Sequence, residues 1–470
     1  MPVRPRGSSR SLGQREKSGG TFKDSNSEPL VLRQDLKLQD IGDFKPKRLE
    51  LEWNIPDDDL DNVYFQYHCK SVVSNVKYLV ETLFKCGTQP TQGSAWSMDS
   101  GDYTFCLESI IDQIARPDPS KPDPWDDLLK PEAKLFAVMR GVIMKVYTET
   151  MFLVCFFGAD KAQKKILSTQ SKAFLKDEGF RRSELMAQTT RMFLGDSQGV
   201  PPFFWLEVDK LALRILVLIL PVINWVRRTW PPEKELIDIK TMYEHIHHCV
   251  AYAAWFSVNV KLSPSPFLFS WLSPGDRYLP DQVELCPALH SRSRLENNER
   301  DFDETFQRAV NAPPGSRAPT PPPRRLARVM ISAVPDVWIF RPVRDKKSGE
   351  PIGQNVTKLT NAHVVYYHGL ENHSDEEELF REISLVEHAR ALKPFSIRSI
   401  RKRFLAVIRV LVDTIYLLFT TLAVRAFWLH HRQKKLSFAT IIGYNEVKTE
   451  THSITTMDTL TTGLPSETPL

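Results

Sequence analysis

Proline does most to limit the folds open to this chain. Its 33 prolines fall in clusters that separate apolar blocks. Proline lacks the amide that a helix interior or a central strand requires, so each cluster marks a boundary and each block between clusters must fold by its own periodicity. Glycine is scarcer, at 20 residues, and 42% of the chain is apolar, enough to fill a substantial core. Loops separating helices account for this distribution.

The pattern inside the blocks is helical. Phe65, Cys69, Val72, Val76, Leu79 and Leu83 recur at steps of four and three behind the acidic run Asp57, Asp58, Asp59, the signature of an amphipathic helix with a favourable N-terminus. A shorter helix is expected from Tyr103 to Ala115. Pro122 and Pro124 predict an extended stretch. An almost wholly apolar helix then occupies 132–157, with more near 160–177, 181–194, 204–229 and 233–261. In the 204–229 block, Leu211 to Val226 is apolar but short for a membrane span, and it is expected to be a core helix kinked at Pro221.

The expected fold class is mainly α: a multi-helix domain with a small antiparallel β element and disordered termini. By this division, 1–45 is a disordered basic tail, 49–262 the helical domain, and 263–325 a Pro-rich irregular segment and linker that includes the polar run Ser291 to Arg308. Residues 326–370 form the β element, with β-branched and aromatic runs at Val329–Val334, Val337–Val343 and His363–Tyr367. An acidic helix falls in 371–396, an apolar helix with basic flanks in 397–435, and a Thr-rich disordered tail in 436–470.

The 397–435 helix is the candidate membrane segment. Ala406 to Val424 holds 14 apolar residues in 19, flanked by Arg401, Lys402 and Arg403 before it and by Arg432, Lys434 and Lys435 after it. Its Val, Leu, Ile and Phe residues favour insertion by roughly 3–6 kcal/mol, against a cost of about 3 kcal/mol for Asp413 and less for Arg409, which can snorkel. Residues 404–429 therefore have two placements open to them: in or on a bilayer, or packed on the protein's own core through the stripe Arg409, Asp413, Tyr416 and Thr420.

No signal-peptide core precedes the first helix, and the six cysteines are widely and irregularly spaced. The expectation is therefore an intracellular chain with free thiols, in which Asn355-Val356-Thr357 carries no glycan. A net charge of +5 is too small to imply a nucleic-acid partner. The basic clusters at Arg4–Lys17 and Arg398–Arg403 have no base-reading element beside them.

Few residues suggest chemistry. His245 and Cys249 lie four apart, with His248 between them, a spacing that can chelate a metal. Other ligands and supporting residues do not accompany it, so these three side chains are expected to be a polar edge on an apolar helix and no metal or cofactor is expected. His363 and His368, five apart in a strand, should lie on opposite faces. The sequence has no nucleophile elbow, phosphate loop or His-Glu-x-x-His motif.

One short segment does match a recognition grammar. Pro319 and Pro322, with Arg324 two residues further on, form a polyproline ligand of the kind that SH3-type modules accept. The functional expectation is thus a non-enzymatic interaction or scaffold protein, attached to a membrane if residues 404–429 insert. The alternative is an enzyme of unfamiliar type with its site inside the helical domain.

Overall fold

The computed structural model describes residues 35–392, except 54, 56–58, 85–93, 95, 97–101, 131, 175–178, 196–198, 230–236, 314–321, 346, 348–350 and 373–383. The chain divides into two units, Met1–Lys393 and Pro394–Leu470, and every described residue belongs to the first. The candidate membrane segment 404–429 and its flanks, Arg401, Lys402, Arg403, Arg432, Lys434 and Lys435, lie outside the described residues, as does the Thr-rich tail.

The protein is mainly helical with a small β part. Helix α1 (Asn62–Phe84) buries Phe65, Cys69, Val72, Val76, Leu79 and Leu83, the stripe set by its periodicity. Helix α2 (Asp102–Ile114) precedes α3 (Pro124–Leu129), where the expectation of an extended stretch fails. Pro124 takes the first helical position, where its missing amide would have had no helical partner anyway. Helix α4 (Glu132–Tyr147) is buried almost all round and packs against α1 and α2. It ends earlier than its apolar sequence suggests, in a π-helical turn at Thr148–Phe152.

Helices α5 (Lys161–Ala173) and α6 (Gly179–Gly195) come next, then α7 (Phe204–Thr229) and α8 (Ile239–Leu262). Helix α7 contains Pro221. Among the described residues, no helix is long and apolar enough to cross a membrane.

The segment 263–325, expected to be irregular, contains three regular elements: β1 (Phe267–Ser270), β2 (Val283–Glu284) and the long helix α9 (Pro287–Val310). Then come β3 (Arg325–Val334), β4 (Asp336–Arg344), β5 (Pro351–Thr360) and β6 (His363–Leu370), and after them α10 (Leu385–Leu392). Residues 373–383 and 393–396 of the expected acidic helix lie outside the described residues.

The strands form two three-stranded sheets, β1-β4-β5 and β2-β6-β3, so the chain changes sheet at Pro335, between β3 and β4. All pairings are antiparallel except the short parallel pair of β2 with β6. Helix α4 packs on β3, and α9 packs on β6. Contact with α4 is close at Gly141, where an added Cβ would sit 2.9 Å from the Ser332 carbonyl oxygen and 2.7 Å from Ile114 Cδ1.

The N-terminal arm is ordered earlier than expected. Position 35 falls inside the expected tail, yet Arg228 on α7 pairs with Asp35, and the Asn224 side chain both accepts from the Leu36 amide (2.9 Å) and donates to its carbonyl (3.1 Å). Further along the arm, the Trp255 indole N–H donates to the Glu52 carbonyl at 2.8 Å. A polar Asn inside an apolar helix is thereby satisfied by the backbone of the arm.

Candidate functional site

The motif His245, His248 and Cys249 sits on α8, whose N-terminus is capped by Asp238 accepting from the Thr241 amide at 2.8 Å. All three side chains line one groove of about 350 Å³ between α1 and α8. Tyr78, 71% exposed, and Tyr252 contribute to its lining, and Leu49 of the N-terminal arm borders it.

Two of these three side chains are already engaged. His248 Nε2 donates to the Lys47 carbonyl at 2.8 Å, and the Cys249 thiol donates to the Asn75 carbonyl at 3.8 Å. Burial pushes the Cys249 thiol up to about 12, which keeps it protonated and unfit as a thiolate ligand. Among the described residues, no group of three or more His, Cys, Asp or Glu side chains is placed to hold a metal ion. Through backbone carbonyls, His248 ties the arm, and Cys249 ties α1, to α8.

The neighbouring His247 has a different environment, which sequence reasoning missed. Its side chain is 0% exposed, with Nε2 2.9 Å from Asp209 Oδ1 on α7, and the Trp205 ring stacks nearby at 6.1 Å. Burial lowers its pKa, opposed by the hydrogen bond to Asp209 and its charge. A His–Asp pair is acid–base equipment in many enzymes, but an imidazole sealed this way is out of a substrate's reach and here joins α7 to α8. Its two partners are 38 positions apart in different helices, so spacing alone gives no signal.

His363 and His368 do occupy different environments. His368 lies 6.3 Å from His290 of α9, whereas the charges that bear on His363 are Arg140 of α4 and Lys77 of α1.

Residues 319–321 lie outside the described residues, whereas Pro322, Pro323 and Arg324 are exposed immediately before β3. Polar contacts tie down the chain from this point on. The Glu371 amide donates to the Arg324 carbonyl at 2.8 Å, and Arg325 makes two bonds to Asp301 of α9, at 2.6 and 2.8 Å. Three residues on, the fully buried Arg328 guanidinium donates to the carbonyls of Leu370 (2.8 Å), Gly275 (2.6 Å) and Glu371 (3.1 Å). Hydrogen bonds to backbone carbonyls offset the cost of burying such a cation.

Helix α9 supports the same mount from below through polar rather than apolar residues. Ser293 donates to Asp118 (3.0 Å), Asn297 donates to the His368 carbonyl (2.7 Å), and the His368 amide donates to Ser293 Oγ (3.1 Å). Fully paired groups in a low-dielectric setting hold one geometry firmly. The exposed tripeptide thus leaves the protein from a fixed point.

No family model, curated protein or solved structure matches this chain.

Proposed function

We propose that this chain is a non-enzymatic interaction protein that displays the segment 319–324 to SH3-type modules. The observation that carries the reading is the exposure of Pro322 and Arg324 at the foot of β3, directly beside the buried Arg325–Asp301 pair. A polyproline segment is stiff before it binds, so little ordering entropy opposes association. Anchoring one end to a sheet removes further freedom, and Arg324 supplies a cation for an acidic specificity pocket. The proposal includes membrane attachment through residues 404–429, on the grounds of their apolar composition and basic flanks, and an intracellular location, where such modules would meet the segment. Titration of purified SH3 modules into the full-length chain tests it. Binding that disappears in the Pro319→Ala, Pro322→Ala, Arg324→Ala variant supports the reading, and binding indifferent to those changes removes it.

A further inference from the structure

We propose that the outer face of α5, with the adjoining flank of α6, is a docking surface for anionic lipid bilayers, independent of both the Pro-rich segment and residues 404–429. Helix α5 buries Leu167 and turns Lys161, Lys164, Lys165 and Lys172 to solvent. At 3.6 residues per turn, Lys161, Lys165 and Lys172 fall within about 40° of one another on the outward side. Asp160, beside the stripe, is the N-cap, where its side chain accepts from the Gln163 amide at 2.7 Å. Among the described residues, no carboxylate forms an ion pair with any of the four lysines.

Apolar side chains border this charge. Ile166, 50% exposed, projects beside the lysine stripe with exposed Ala162 and Ala173 on the same side. On α6, Met192 is 70% exposed. The hydrogen bond from Gln170 Nε2 to the Leu185 carbonyl (3.3 Å) ties α5 to α6.

Lysines interleaved with aliphatic side chains match the two terms of peripheral membrane binding. The lysines are attracted to anionic headgroups, and the aliphatic groups bury at the boundary between headgroups and acyl chains. A nucleic-acid surface would instead offer aromatic rings or arginine planes on which bases stack, and Ile166 and Met192 supply neither.

The test is flotation of the full-length chain with vesicles of phosphatidylcholine alone and of phosphatidylcholine mixed with phosphatidylserine, at low and raised salt. A salt-sensitive component of binding specific to the phosphatidylserine vesicles is expected, over and above attachment through 404–429, which would persist on neutral vesicles and in salt. Replacing Lys161, Lys165 and Lys172 by Gln should weaken the anionic component by about a hundredfold, on the order of fivefold per lysine. These side chains are exposed, so the melting temperature should not change. The inference is overturned if the triple variant floats as well as the wild-type chain, if the wild-type chain shows no preference for the anionic vesicles, or if the three lysines serve to bind a duplex oligonucleotide instead.

Discussion

Asp301 on α9 and Arg325 at the start of β3 form a bidentate pair with bonds of 2.6 and 2.8 Å, and their side chains are 9% and 10% exposed. Parallel N–H···O bonds of this kind fix orientation as well as distance, so the pair sets how the Pro-rich segment leaves α9 and enters the sheet. Removing one partner leaves an uncompensated buried charge. Asp301→Ala should therefore cost about 3–5 kcal/mol, and the double change Asp301→Leu with Arg325→Met should restore most of it. Urea unfolding midpoints provide the measurement. A single variant that loses less than about 1 kcal/mol, as exposed pairs do, would show that the contact does not hold α9 in place.

A second prediction reverses an ordinary expectation. In a helix interior, Gly→Ala usually stabilises by about 1 kcal/mol. At Gly141 the new Cβ would lie 2.9 Å from the Ser332 carbonyl oxygen and 2.7 Å from Ile114 Cδ1, so α4 would have to move away from β3. Gly141→Ala should destabilise by about 1–3 kcal/mol, the cost of overpacking. A melting temperature equal to or above the wild-type value would contradict the close contact between helix and sheet.

The third prediction concerns acid. Burial first, then the charges of Arg140 and Lys77, pushes the His363 pKa from 6.5 down to about 4. The native state therefore holds this imidazole neutral, whereas the unfolded chain protonates it near its ordinary value. The resulting stability is complete above pH 6.5 and is lost as the pH falls from 6.5 to about 4. His247 and His368 are shifted in the same direction, so His363→Leu should flatten the acid-side decline without abolishing it. Unfolding midpoints measured from about pH 7 to about pH 4.5 check this, and an unchanged slope in the variant would rule out His363 as a contributor.

Periodicity revealed the parts of the fold whose buried faces are apolar. The α1 stripe and the apolar body of α7 were legible for that reason. Helix α9 was not. Its buried face is Ser293, Asn297 and Asp301, spaced at four like any helical stripe but polar, so a search for apolar repeats sees only solvent-like sequence. Strand β5 was obscured similarly, since Ile352 to Gln354 are exposed along the rim of its sheet. The ordered arm depends on Asn224, Arg228, His248 and Trp255, which bind it through long-range contacts with no local pattern. At the candidate sites, the sequence placed His245 and Cys249 on one helix face and His248 on the neighbouring one. That the polar atoms of His248 and Cys249 bond to backbone carbonyls emerges only from the fold.

The central claim, that the chain displays a polyproline ligand from a rigid mount, is tested most directly by isothermal titration of purified SH3 modules into the full-length protein and its Pro319→Ala, Pro322→Ala, Arg324→Ala variant, each also tracked by thermal unfolding. The account predicts binding to the wild-type chain, none detectable to the variant, and the same melting temperature for both, because Pro322 and Arg324 are exposed. Equal binding by the two proteins, or a wild-type chain that binds none of the modules, would contradict it.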